Sequence, residues 1–294
     1  VNLVLTVAGI TAPVALVALI GFLWVRLGYE YRVRFVTQLA MSVAMPCLIF
    51  VTLMRTELSA SALTAVSAGA VAAYALVIAG TYLATLALRL DRRTYLAPMI
   101  FGNTGNLGLP LAFFAFGPDG LGIAVVVFAI MAVINFTFGI WLVSGGSSLR
   151  LLVREPILAA ALLGGAFMLL GWETPPVLTR TLDLIGQMAI PLMLLTLGVA
   201  VAGLHTSNAL RAILLSLLKL AICTAAGLLA AWGAGLTGAA QAILVLQVAT
   251  PVAVTSFMIA EKYGANSQAV AGLVVMSTLL SVLALPAILA VFLG

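Results

Sequence analysis

The chain has 294 residues, of which 64% are hydrophobic and only 7% charged, with a mean hydropathy of +1.29 and a net charge of +5. A soluble domain carries about 25% charged residues, so a soluble fold is excluded and the apolar surface must face lipid as well as a core. The basic residues lie in short gaps between apolar runs and form no patch, which argues against a nucleic-acid surface.

A membrane span needs roughly 20 apolar residues, and ten such runs consume nearly the whole chain. They fall at 2–25, 36–54, 62–88, 94–117, 120–143, 153–171, 181–203, 209–233, 238–262 and 268–292. The fourth and ninth are interrupted. The first has no basic n-region and no clear cleavage site, and reads as a mature helix, not a signal peptide. Cys47 and Cys223 each sit inside an apolar run, where their spacing suits neither a metal site nor a disulfide framework.

Orientation follows from Lys and Arg, which mark cytoplasmic loops. The odd-numbered gaps and the span ends bordering them hold Arg26, Arg32, Arg34, Arg89, Arg92, Arg93, Arg150, Arg154, Arg211 and Lys262, ten in all, against Arg55 and Arg180 in the even-numbered ones. Both termini are therefore expected on the periplasmic side. Ser144-Gly145-Gly146-Ser147-Ser148 opens a short cytoplasmic linker, 144–152, between a first five-helix repeat, 1–143, and a second, 153–294. An odd number of helices per half gives the halves opposite orientation, the arrangement of inverted-repeat transporters. Weak internal similarity agrees. Ala44-Met45-Pro46 matches Ala189-Ile190-Pro191, and Pro110 matches Pro251, with Asn106 falling on Gln247.

The densest signal is Phe101-Gly102-Asn103-Thr104-Gly105-Asn106-Leu107-Gly108-Leu109-Pro110 in the middle of the fourth span. Proline removes a helical hydrogen bond and clashes with the preceding turn. Unsatisfied backbone cannot face lipid, so such a break must face protein or a wet cavity. Asn103, Thr104 and Asn106 supply polar groups there, with Gly105, Gly108 and Pro110 as the breaking residues. The glycine spacing is not that of a dinucleotide fingerprint. The ninth span carries Gln247, Thr250, Pro251, Thr255 and Ser256 at the corresponding place.

These runs resemble the auxin efflux carrier family. Gly102 to Pro110 with the following Leu-Ala-Phe-Phe-Ala-Phe-Gly resembles its fourth helix, Gln187 through Leu197 its seventh, and Thr250-Pro251 through Gly264 its ninth. The wider superfamily includes the bile acid sodium symporters. The resemblance implies an all-α integral membrane protein of ten transmembrane helices in two inverted five-helix repeats, with broken crossover helices 4 and 9. It implies a scaffold of helices 1, 2, 6 and 7, and a transport domain of helices 3–5 and 8–10. It further implies elevator-like movement and a homodimer. Plant members carry a long hydrophilic loop between the halves, so the short linker here looks like a compact bacterial form, placed in the inner membrane.

Of the remaining polar residues, Gln187 is expected to face the site from the scaffold. Lys219 is expected to snorkel to the cytoplasmic interface, with a role near the site as the alternative, Asp183 to sit in the outer interface, and His205 in a solvated turn. Asn135 is equally a helix–helix hydrogen bond and a ligand contact. Enzyme chemistry lacks its signatures: there is no His-Glu-x-x-His, and no histidine at membrane depth. No cofactor or metal cluster is expected. The reading is a transporter of a small organic anion that works within the lipid bilayer. The alternative is a sodium-coupled symporter of the bile acid type, in which Thr250, Thr255 and Ser256 help bind the ion.

Overall fold

The structure is a computed structural model and describes residues 3–56, 59–144, 156–203 and 208–293. The expected linker beyond Ser144, Arg150, Arg154 and His205 lie outside these residues. The described chain is helical, with one isolated antiparallel bridge between Gly102 and Val252. In chain order the helices are α1 (Leu3–Arg26), α2 (Val33–Leu39), α3 (Met45–Arg55), α4 (Ala60–Ala87), α5 (Arg92–Ile100), α6 (Leu109–Ile134) and α7 (Ile140–Ser144). They continue as α8 (Pro156–Leu170), α9 (Pro176–Gly186), α10 (Ala189–Gly203), α11 (Ala209–Gly233), α12 (Gly238–Val248), α13 (Val254–Tyr263) and α14 (Ser267–Leu293).

Local chemistry sets several of the ends. Ser59 caps α4 by accepting from the Ala62 N–H at 3.2 Å, Asp91 caps α5 through Thr94 at 2.9 Å, and Asn208 caps α11 through Arg211 at 3.1 Å. Gly264 closes α13 in the left-handed conformation. Two π-helical turns, Ala40–Ala44 and Thr104–Gly108, come one turn before Pro46 and Pro110. A widened turn relieves the clash of a proline ring with the carbonyl four residues back. In the second half Pro191 is accommodated differently. The helix stops at Gly186 and restarts at Ala189, placing the proline in the first turn of α10, where its missing N–H costs nothing.

Among the described residues, seven helical runs are long and apolar enough to cross a membrane. The difference from the ten expected spans has physical origins. The run Thr104–Val143 has 40 residues, about 60 Å of helix, twice the hydrocarbon thickness. It bends at Gly117, whose φ of 68° and ψ of −160° are not helical, so it is two segments. Arg92–Ile100, Gly238–Val248 and Val254–Tyr263 are the short pieces of the interrupted spans, and α8 begins at the edge of an undescribed stretch.

Packing joins α1 to α10, α3 to α8 and α9, and α4 to α11 and α6, with α12 and α14 against α11 and α13 against α14. Without a hydrophobic force between helices in lipid, small residues govern close approach. A Cβ on Gly198 would run into the main-chain carbonyl of Ala18, and one on Gly21 into that of Leu195, so α1 and α10 touch backbone to backbone. Gly198→Ala is therefore expected to destabilise the protein by about 1–3 kcal/mol, the usual cost of overpacking. Gly203→Ala, with open space around it, should not. Thermal unfolding in detergent compares the two.

On one side Arg93 donates to the carbonyls of Val143, at 2.8 Å, and Tyr263, tying the ends of α7 and α13 together. Elsewhere Arg55 pairs with Asp183 at 3.5 Å, both about half exposed.

Candidate functional site

The two interrupted spans meet where they unwind. α5 ends at Ile100 and helix resumes at Thr104, while α12 ends at Val248 and α13 starts at Val254. Gly102 and Val252 face each other as an antiparallel pair. The Asn103 N–H donates to the Pro251 carbonyl at 2.6 Å, and the Ala253 N–H to the Phe101 carbonyl at 3.4 Å. The Val252 N–H donates to Ser277 Oγ at 2.9 Å, and Lys219 Nζ donates to the Thr250 carbonyl at 3.0 Å. The backbone groups released by the breaks thus find protein partners, as a site at membrane depth requires.

Glycine permits the crossing. A Cβ on Gly102 would collide with Thr250 Oγ1, and one on Gly108 with the Gln247 amide. Gly105 stands against Met193 and Phe128, where a Cβ would come to 3.0 Å and 3.2 Å of their side chains.

A cavity of about 700 Å³ opens on the crossing, within the usual range for small-molecule sites. Its floor is Gly102, Asn103, Thr104, Gly105 and Asn106 from the first break and Ala253, Val254 and Thr255 from the second. Phe128, Met131, Ala132 and Asn135 line one wall, Thr37, Met41 and Ile157 another, and Arg34, Glu261 and Lys262 are at its edge. Helix starts leave their first N–H groups without intrahelical partners and carry partial positive charge. Two such starts, at Thr104 and Val254, converge on this floor. Asn103 and Thr104 are buried, 5% and 0% exposed, and Asn103 Nδ2 and Thr104 Oγ1 have no hydrogen-bond partner among the described residues. Unmet buried donors cost about 1–3 kcal/mol each, so both are poised for a guest or for water.

The sequence-based candidates separate into groups. Asn103, Thr104, Asn106 and Thr255 share the cavity with Gly105. Gln247 and Thr250 are fully buried inside the crossing and do not line it. Thr250 Oγ1 donates to the Gln247 carbonyl at 2.7 Å, and both polar atoms of the Gln247 amide lack partners among the described residues. Gly108 and Pro110 are buried behind the floor and Pro251 lies within the second break. Ser256 lines a neighbouring crevice with Asn135 and Arg93. Gln187 is exposed in the gap between α9 and α10 and does not reach the cavity.

Three assignments change. The proline match set Asn106 against Gln247, yet the antiparallel pair opposes Gly102 and Val252, so Gln247 lies in the last turn before its break and Asn106 in the first turn after its own. The cause is that Pro110 is tolerated inside the resumed helix, after the widened turn, whereas Pro251 is in the unwound stretch itself. Lys219 does not snorkel: it is 2% exposed and bonded to the crossing, because the freed Thr250 carbonyl offers a partner inside. Asn135 faces the cavity, which favours the contact reading over a plain helix–helix bond. Arg34, at the cavity edge, served in the sequence only as an orientation marker. It is exposed on the first turn of α2, and its local sequence pattern does not distinguish it from the other loop arginines.

Paired helix breaks around a cavity inside an apolar bundle are the arrangement of broken-helix membrane transporters. A sequence profile described as membrane transport protein matches residues 140–289, just over half of the chain. An uncharacterized transporter of Methanothermobacter thermautotrophicus is 28% identical over 295 residues, covering 93% of this chain and 94% of the relative. The chain belongs to this family of membrane transport proteins, the auxin efflux carrier family, and is a multi-pass membrane protein.

Proposed function

We propose that the protein carries a small organic anion, a carboxylate such as malate, malonate or an auxin-like acid, across the bacterial inner membrane by an elevator movement. One observation carries the reading: two helix starts and two unpartnered buried polar groups, Asn103 Nδ2 and Thr104 Oγ1, converge on one cavity. Helix starts favour anions. Asn106, Thr255 and Asn135 add neutral hydrogen-bonding groups, and at the edge Arg34 and Lys262 outnumber Glu261 and leave a net positive charge that draws anions in. The cavity floor carries no Asp or Glu that would favour a cation. Binding by dipoles without a fixed salt bridge is weak enough to permit release. Gln247 and Thr250 act in this reading by shaping the crossing, Ser256 lines the crevice beside the floor, and Gln187, on the scaffold, meets the guest when the moving body carries it past.

In this reading the chain crosses ten times, in inverted repeats 1–143 and 153–294. Helices 1, 2, 6 and 7 form the scaffold, through which a homodimer assembles, and helices 3–5 and 8–10 the moving body. The packing of α1 with α10 and of α3 with α8 and α9 supports that division. So does the position of the cavity between Met41 and Ile157 on one side and the crossing on the other.

Thermal-shift screening of the purified protein with malate, malonate, indole-3-acetate, neutral amino acids and organic cations tests the anion. At least one carboxylate should stabilise the protein. A response to a cation or neutral compound alone would overturn the anion reading. Topology has its own test. With Cys47 and Cys223 replaced, a cysteine at Glu173 should react with an impermeant maleimide from outside intact cells, and one at Arg89 only after permeabilisation. The reverse pattern would invert the proposed orientation.

A further inference from the structure

We propose that Lys219 is a built-in cation, its ammonium doing at the second break what a bound sodium ion does in cation-driven carriers. The inference rests on the transporter reading and names what holds its crossing together. Lys219 lies in the middle of α11, an apolar helix of 25 residues, and is 2% exposed. Charged side chains at such depth are costly and mark functional positions. The ion pairs among the described residues are Arg32–Glu30 and Arg55–Asp183, both exposed or half-exposed, and neither involves Lys219. Its Nζ instead donates to the Thr250 carbonyl at 3.0 Å and approaches Cys223 Sγ at 3.6 Å.

One carbonyl oxygen bonds the ammonium, and three serine hydroxyls line the crevice beside it. The Thr250 carbonyl is released because α12 stops at Val248 and Pro251 cannot continue it. The C-terminal end of a helix is its negative pole. Ser216 from α11 itself and Ser277 and Ser281 from α14 line a crevice with Lys219, Thr250 and Pro251 that holds about one water. Ser216 Oγ has no partner among the described residues. Ser277 Oγ already accepts from the Val252 N–H, so the hydroxyls are in register with the break. An unwound carbonyl and the end of a half-helix are what broken-helix carriers use to hold sodium, and hard cations take oxygen ligands. The Lys219 side chain delivers the positive charge covalently to the Thr250 carbonyl, beside these hydroxyls. The crossing then keeps its geometry in every step of the cycle without drawing on a sodium gradient.

A lysine that only fills space and one that replaces a cation differ in what its removal reveals. Truncation would leave a vacated pocket of oxygen atoms beside a helix C-terminus. The test is the melting temperature of the purified full chain in detergent, in sodium chloride against equal potassium chloride and choline chloride. A ligand that binds only the folded state raises stability with its concentration, so about 100 mM sodium suffices to reveal millimolar binding. The wild type should melt at the same temperature in all three salts. Lys219→Ala and Lys219→Ser should melt several degrees lower in potassium and recover most of the loss in sodium. Direct binding of radioactive sodium should be absent in the wild type and present in both variants. Sodium-specific stabilisation or sodium binding in the wild type would overturn the proposal. So would variants that melt, or fail to fold, alike in sodium and potassium. No organic substrate enters the assay, so these results stand apart from whether a carboxylate is the cargo.

Discussion

Replacing Asn103 by alanine is expected to weaken carboxylate binding by about 10- to 150-fold while leaving the melting temperature of the empty protein unchanged or raised. Hydrogen bonds to charged groups contribute about 1.5–3 kcal/mol, and each 1.4 kcal/mol is about tenfold in affinity. The stability half follows from an absence: Asn103 Nδ2 has no partner among the described residues, although the side chain is buried. Its removal therefore strands no acceptor and relieves an unmet donor. The backbone bond from the Asn103 N–H to the Pro251 carbonyl, which holds the crossing, survives in the variant. Ligand-dependent thermal shifts, read for the wild type and the variant with the same carboxylate, measure both halves. An Asn103→Ala protein that melts well below wild type and binds normally would make the residue a structural one. Asn106→Ala should behave likewise, since Asn106 is partly exposed on the same floor.

Gly102→Ala is expected to abolish transport and to lower stability by about 3 kcal/mol or more, above the common range for overpacking. The new Cβ would meet Thr250 Oγ1 first and the Thr250 carbonyl next. Neither can retreat easily, because Oγ1 is bonded to the Gln247 carbonyl and the Thr250 carbonyl to Lys219. Combining it with Thr250→Ala removes the first obstacle. Residues in contact couple by about 0.5–3 kcal/mol, and here the coupling should be favourable: the double variant should be more stable than Gly102→Ala alone. Thermal unfolding of the four proteins of the cycle supplies the number. Strict additivity would mean that the two strands are not in contact as described.

The features visible in the sequence were those written in backbone chemistry. Gly102, Asn103, Gly105, Gly108 and Pro110 in one apolar run, and Pro251 in another, announce breaks that lipid cannot tolerate unless protein covers them. Both breaks are present, and they cover each other. What the sequence left hidden depends on rotation about a helix axis. Lys219 has a stem long enough to reach either the interface or the crossing, and nothing in an apolar helix of low periodicity marks which face it shares. Asn135 was undecided for the same reason. Gln247 looked like the counterpart of Asn106 because two prolines aligned. Proline marks a disturbance but not its place: Pro110 sits inside a resumed helix and Pro251 inside the unwound stretch. An offset of a few residues in a helix separates a cavity wall from a buried interior. Gln187 was carried by similarity to a seventh helix, and the break between α9 and α10 turns it outward.

The central claim is that the crossing binds an organic anion for transport. Counterflow in proteoliposomes tests it most directly. Vesicles preloaded with unlabelled malate, malonate or indole-3-acetate are diluted into the same compound in labelled form, for the wild type and for Asn103→Ala, in the absence of sodium. Wild-type vesicles should accumulate label with at least one of the three, and Asn103→Ala vesicles should accumulate far less. Accumulation of a cation or a neutral sugar with none of any carboxylate, or equal carboxylate counterflow by both proteins, would contradict the account.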